Sequence, residues 1–550
     1  MNSSESSDRR VPDLAFRAIV ALFLLYAAAF IYRTSFVVAG ERYFSLFDDA
    51  MISMRYARHL AHGYGLAWNP GTPPVEGYTN PAWVLYMAAI HLLPLPPSKT
   101  SLLVQATAAV LLAANLFVVR EIALRVSRGS AAVALGAVAI TASYLPLNSW
   151  SLQGMEVSVL VVMVSVSLNH ALRSMDDGRF RASPYVLLGA STLVRPDMAV
   201  PLAGLLLYHV VTDPVRRYRH LAWGTAALVV FGGLQTAFRL WYFGQIVPNT
   251  YYLKMTGYPV GLRITRGVFV LAEFIWKFNV LLFALPFLLL VGRERRRALL
   301  LWMAVVQMLY SVYVGGDAWE YWGGSNRYIT IVMPGFFVVL SLALFQVAEA
   351  FATAVETAHV RRRVFGILIV LTIMAANSIY GVRAWLEVLL VHAPLHSGPG
   401  GENHREVEEA LRLRTITTPD AVIAVVRAGT IPYFSDRPAI DLLGKNDAHV
   451  AREWSRVPAG RNRFIEFRPG HMKFDYEYSI EAQRPDAVVQ LWHDRDTVLP
   501  YLRTFYTPIM LRGTCIYLQN MSRRILWDAL PEAHCDDDGS GPDSRDDSGE

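Results

Sequence analysis

Apolar residues in this chain gather into long runs rather than alternating singly. Runs long enough to cross a bilayer, about 17–25 residues, fall near 14–32, 101–119, 130–147, 155–171, 198–212, 221–241, 274–292, 298–314, 329–348 and 363–380. A shorter run near 184–195 raises the expected number of membrane helices to eleven. The polar gaps between them come in two kinds. Every second gap is rich in arginine: Arg9 and Arg10, then Arg120, Arg125 and Arg128, then Arg173, Arg179 and Arg181, then Arg216, Arg217 and Arg219, then Arg293 and Arg295 to Arg297, then Arg361 to Arg363. Basic loops stay on the cytoplasmic side, so the N-terminus and these loops are expected inside. The alternation requires that "NPAWVLYMAAIHLLPLPP" does not span and lies along the membrane surface.

Beyond residue 380 the pattern changes. "DAVIAVV" (420–426), "PAIDLL" (438–443) and "PDAVVQL" (485–491) read as short buried strands, and "NHREVEEALRLR" (403–414) as an intervening helix. The expected organisation is a cytoplasmic tail over 1–13, a membrane domain over 14–380 with an outer loop at 33–100, and an outer α/β domain over 381–535. Residues 1–8 and the Asp/Gly/Ser-rich tail over 536–550 are expected to be disordered. The first apolar run has no small-residue cleavage site behind it, so no signal peptide is expected to be removed.

Composition agrees with a chain solvated mostly by lipid: 53% of residues are hydrophobic and the net charge is +6, with mean hydropathy +0.30. Only five lysines occur, so arginine carries the basic excess, and its place at the ends of apolar runs argues for topology rather than nucleic-acid binding. The two cysteines, Cys515 and Cys535, have no zinc or haem spacing. In an outer, oxidising compartment they either pair or stay as thiols.

The gaps without arginine clusters carry the unusual chemistry. "FSLFDDAMISMRYARHL" places Asp48 and Asp49 directly after the first span. One Asp is explained by capping the helix that follows; the second suits a general base, a divalent cation (Mg, Mn or Ca), or both. Glu76 and Asn80 lie in a Gly/Pro-rich loop that is otherwise an ordinary turn. Asp317 follows a Gly pair in "YVGGDAWEYWGGSNRY", whose aromatics suit either sugar stacking or membrane anchoring. "VRPD" ends a short helix at Pro196 and sets Arg195 beside Asp197 for a salt bridge or a phosphate contact. Arg55, Arg58, Lys254 and Arg327, with Arg195, could together neutralise a phosphate-bearing lipid.

An Asp-Asp pair in the first outer loop, an interfacial helix and many spans resemble the GT-C glycosyltransferase superfamily. "FDDAMISMRYARHLAHGYGLAWNPG…VEGYTNPAW", "GMEVS", "VRPD", "FGQIVPNTYYLK", "VGGD", "AGTIPYFSDRPAIDLLGKND" and "GHMKFD", in this order, are similar to the terminal arabinofuranosyltransferases of mycobacterial and corynebacterial cell walls. The resemblance covers about 40 to 490. It implies a plasma-membrane enzyme with decaprenyl-phosphoryl-arabinofuranose as donor. The acceptor would be arabinan, in arabinogalactan or lipoarabinomannan, extended by a β-(1→2) linkage. It further implies Asp48 and Asp49 as catalytic, with Glu76, Asn80, Glu156, Asn249, Asp317 and His471 at the substrate. A β donor giving a β product is net retention, which one in-line displacement does not produce. The outer domain is short for that group, and another polyprenyl-phosphate sugar such as mannose, with a glycolipid, glycan or protein acceptor, is the alternative. A transporter of lipid-linked sugars would want midplane charges and internal repeats, and neither stands out. A wall-assembly scaffold leaves the Asp pair unexplained.

Overall fold

The computed structural model describes residues 3–290, 294–318, 326–355, 358–377, 398–457, 459–460, 462–492, 494–511, 513–530 and 535. The tail over 536–550 lies outside these residues, as does most of "AWEYWGGS", whereas residues 3–8, expected to be disordered, begin a helix over Ser3–Thr34. The chain divides into two compact units: Met1–Arg33, Leu103–Phe238 and Val260–Pro394 form the first, and Thr34–Leu102, Arg239–Pro259 and Leu395–Glu550 the second.

The first unit is helical and belongs to a multi-pass membrane protein. Among the described residues, six helices are long and apolar enough to cross a membrane singly, namely Pro12–Thr34, Pro97–Val126, Val157–Asp177, Arg217–Phe243, Arg295–Val314 and Met333–Ala354. Counting each bent pair as one span gives up to eight rather than eleven. The expected span at 130–147 breaks by 50° between Ala131–Ala142 and Leu145–Leu152, because Pro146 starts a new helix there. The one at 274–292 breaks by 92° at Asn279, whose φ of 84° lies in the left-handed region. Ser183–Val194 and Ala199–Thr212 have 12 and 14 residues, too short at 1.5 Å per residue for a ~30 Å core. Small residues let helices touch: a Cβ on Gly267 would lie 2.2 Å from the Val312 carbonyl oxygen.

In the second unit a hairpin of β1 (Phe36–Val38) and β2 (Glu41–Tyr43) precedes α1 (Asp48–Ala61) and α2 (Pro81–His91). A short helix α3 (Asn249–Met255) comes from the middle of the chain. The C-terminal part opens with α4 (Glu402–Ile416), followed by β3 (Ile423–Val425), α5 (Thr430–Ser435), β4 (Ala439–Asp441), β5 (Ala487–Val488), β6 (Tyr506–Leu511) and β7 (Thr514–Gln519). The sheet order is β4-β3-β5-β7-β6, with β3 parallel to β4 and β5, and β7 antiparallel to β5 and β6. The three expected strands and the expected helix are all present, and the β6–β7 hairpin is an addition. Apolar side chains of β3, β4 and β5, including Ala424, Ile440 and Val488, pack with Phe474, Ile480 and Leu502 into the core of this domain. Cys515 and Cys535 form a disulfide, closing the alternative left open by the sequence.

Candidate functional site

The Asp pair begins α1, but neither carboxylate caps it. The N-cap is Phe47, with no side-chain cap bond, which corrects the capping expectation. Asp48 instead accepts hydrogen bonds at Oδ1 from the backbone N–H of Gly429 (3.1 Å) and Thr430 (2.8 Å), at the start of α5. Only glycine fits beside it, since a Cβ on Gly429 would sit 2.0 Å from the Asp48 carbonyl oxygen. Asp49 forms an ion pair with Lys445. The two adjacent carboxylates thus have different partners from the C-terminal domain.

Around them lies a charged shell. Arg427 pairs with Glu402 (2.5 Å) and Glu406 (2.9 Å) of α4. Enclosure by protein pushes the Asp48 carboxyl above its ordinary value and Asp49 adds to this, while Arg427, Lys445 and the Thr430 N–H hold it down. Burial works against the Lys445 ammonium, yet Asp49 and Asp48 keep it charged beyond the usual lysine range. Burial pushes Glu406 and Glu409 up to about 8 each, with Arg427 opposing the rise at Glu406 and Glu406 adding to it at Glu409. His471 is buried. Burial drives its imidazole well below the usual histidine range, Lys445 and Lys254 push the same way, and Asp49 opposes them. The Lys254 stem runs along Gly470, 3.0 Å from where a Cβ would stand. Asp48, Asp49, Lys445, His471 and Lys254 therefore form one electrostatic cluster.

The remaining candidates of this unit build the frame. Arg55 is buried and donates to the carbonyl oxygens of Trp68 (2.7 Å), Pro432 and Arg437 (2.8 Å) and to Asn69 Oδ1 (3.0 Å). Arg58 donates to the Tyr433 carbonyl (2.8 Å) and pairs with Asp436 (2.6 Å). Both arginines thus grip the far end of α5, whose near end holds Asp48. Asn80 accepts from Ser53 Oγ (2.9 Å), and Glu76 pairs with Arg239 at 2.7 Å. Asn249 Nδ2 reaches the carbonyl oxygens of Gly444 (2.9 Å), Lys445 (3.0 Å) and Asp447 (3.1 Å), and so shapes the loop that presents Lys445.

The other candidates lie in the first unit. Arg195 pairs with Asp197 and with Glu156 (3.3 Å), and Arg327 pairs with Asp317 at 2.7 Å. Arg195 lies over the Tyr328 ring and Arg327 over Trp150. Glu156, Arg195, Asp317 and Arg327 are all buried, so each guanidinium already faces carboxylates. The helix ends at Val194 before Pro196, as expected.

A divalent cation at the pair does not fit the arrangement as it stands. Lys445 already supplies the positive charge at Asp49, and two backbone N–H groups hold Asp48 Oδ1. Sequence reasoning missed Lys445, Arg427 and Glu406. The rarity of lysine was a usable signal for Lys445; the two others look like an ordinary polar strand end and helix face.

Residues 400–525 match a family model described as a domain of unknown function (DUF8728). No curated protein matches the sequence. Among solved structures, ArnT from Cupriavidus metallidurans in the apo state is similar at 14% identity over 94% of this chain and 98% of that one, with a TM-score of 0.54. The same protein bound to undecaprenyl phosphate gives 14% identity, 92% and 98% coverage and 0.53. The oligosaccharyltransferase AglB from Archaeoglobus fulgidus, in complex with an inhibitory peptide and a dolichol-phosphate, gives 12% identity, 94% and 75% coverage and 0.52. The likeness at these identities is one of fold, and the fold is of the GT-C type.

Proposed function

We propose that the chain is a membrane glycosyltransferase that moves a sugar from a polyprenyl-phosphate donor to a hydroxyl acceptor at Asp48 and Asp49. One observation carries the reading: two adjacent carboxylates held apart in function, Asp48 by backbone N–H groups and Asp49 by Lys445, with Lys254 and His471 in the same cluster. The fold shared with proteins that bind undecaprenyl phosphate and dolichol-phosphate supports the donor class.

In the transfer, the bond from the anomeric carbon to the phosphate oxygen breaks and a bond to the acceptor oxygen forms. The acceptor proton passes to a carboxylate, and the polyprenyl phosphate leaves with the bonding electrons. A sugar hydroxyl is a poor nucleophile at neutral pH, and a positioned base contributes about 10²–10⁴ in rate. Asp48, fixed by the backbone, takes that role. Lys445 and Lys254 neutralise the charge that grows on the leaving phosphate. Retention would instead place a carboxylate at the anomeric carbon, and product stereochemistry separates the two roles.

The finer reading is that the sugar is arabinofuranose, carried on decaprenyl phosphate, and that the acceptor is the end of cell-wall arabinan. The order of the motifs supports it. The arginine bias of alternate loops supports a site on the outer face of the cytoplasmic membrane. The test is transfer in membrane vesicles from decaprenyl-phosphoryl-arabinofuranose and from a mannose counterpart to synthetic oligosaccharides, with wild type, Asp48→Asn and Asp49→Asn. Expected is arabinofuranosyl transfer that falls about 10²–10⁴-fold in at least one variant. Full activity in both variants rejects the site, and transfer of mannose alone rejects arabinan.

A further inference from the structure

Away from the Asp pair, three side chains of the second unit converge without a strong countercharge. His449, Glu453 and Asp475 each offer a ligand atom, and these atoms lie within 4.8 Å of one another. His449 Nε2 is 3.2 Å from Asp475 Oδ2 and 3.5 Å from Glu453 Oε1.

His449 and Asp475 are held in place by other contacts. The His449 ring stacks on Tyr478 with centroids 4.0 Å apart. Its backbone is fixed by Asp447 Oδ1, which accepts from the N–H of His449 (2.8 Å) and of Val450 (3.0 Å). Asp475 Oδ1 accepts from the Tyr478 N–H (3.0 Å), which leaves Oδ2 turned to the imidazole. Glu453 comes from the same turn, four residues after His449.

Glu453 and Asp475 both face the imidazole, and among the described residues neither lies within ion-pair distance of a lysine or arginine. Arg452 turns away, over the Tyr252 ring and toward Asn249 and Gln245. Lys473 donates to the carbonyl oxygens of Tyr252 and Ala451, and reaches Glu453 only through its field.

We infer that His449, Glu453 and Asp475 bind a divalent transition-metal ion of the Zn²⁺ or Mn²⁺ class. One imidazole and two carboxylates are the donor set such ions take, whereas Ca²⁺ and Mg²⁺ favour oxygen alone. Remaining positions would be filled by water, since the cluster is partly exposed. The ion would tie the 447–453 turn to the segment carrying Asp475. That turn continues from Lys445, so the site would brace the loop that presents the lysine to Asp49.

The test is calorimetric titration of the detergent-solubilised, tag-free full chain with ZnCl₂ and with MnCl₂ at near-neutral pH. Expected is one site that weakens at least about tenfold in His449→Gln and in Asp475→Asn, as loss of a ligand implies. Asp48→Asn/Asp49→Asn should bind as wild type. No binding, unchanged binding in His449→Gln, or loss only in the Asp48/Asp49 variant overturns the inference. Because the readout is binding, the result is independent of whether the chain transfers sugars.

Discussion

Lys445→Met removes the ammonium beside Asp49, and the size of the effect follows from the geometry. Both side chains are mostly enclosed, at 11% exposure for Lys445 and 16% for Asp49. Two unit charges 4 Å apart attract by about 4 kcal/mol at an effective dielectric of 20. Removing one partner of an enclosed pair costs about 3–5 kcal/mol, because the other charge is left uncompensated. Residual contact with water lowers this to about 2–3 kcal/mol here. Asp49→Asn strands the lysine in turn, less severely, since Asp48 also holds it charged. The double variant leaves neither charge stranded and should recover about 2 kcal/mol relative to the sum of the singles. Thermal unfolding of the full chain in detergent, followed by tryptophan fluorescence, reads this at about 2–4 °C per kcal/mol for a unit of 150–250 residues. The singles should therefore melt about 4–12 °C below wild type, with the double variant above Lys445→Met. Strictly additive shifts would refute the pairing.

Three further outcomes follow from particular residues. Burial raises Glu409 to about 8 in the folded chain, so the fold binds more protons than the unfolded chain between about pH 4.3 and 8, and stability falls as pH rises through that window; Glu409→Gln should remove about 1–3 kcal/mol of that loss, and an unchanged slope of melting temperature against pH would contradict it. Gly429→Ala brings a Cβ to 2.0 Å from the Asp48 carbonyl, so it should lower transfer about as much as Asp48→Asn, whereas near-wild-type transfer would show that the Asp48 cradle is dispensable. For topology, Ser149 and Thr250 are buried, so cysteines belong at exposed Thr72 and Ile246 for the outer face and at Arg128 and Arg179 for the inner. With Cys515 and Cys535 replaced, the first two should label with an impermeant reagent on spheroplasts and the last two should not, and the reverse pattern would invert the orientation.

How much of this the sequence displayed depends on the range of each interaction. Spans and the strands β3, β4 and β5 were legible because burial imposes a pattern over a few neighbouring residues. Helix breaks were less so: one depends on Asn279 adopting a left-handed φ, which hydropathy does not register. The β6–β7 hairpin escaped because Pro508 interrupts an otherwise strand-like run.

The Asp pair shows the same divide at the site. Its importance could be read locally, from two carboxylates where a cap needs one. Its partners could not, because Lys445 lies 396 residues beyond Asp49 and Thr430 lies 382 beyond Asp48. Arg55 shows how charge alone misleads: an arginine one or two turns below the pair looks like a phosphate ligand, yet four oxygens of residues 68–69, 432 and 437 surround it. Burial, with Arg58 adding to it, lowers the guanidinium to about 9, while Asp436 opposes both. A cation so enclosed is spent on holding α5, and α5 in turn supplies the N–H groups that fix Asp48. If Asp48 carries the proposed transfer, Arg55 acts on it only through position, by way of α5.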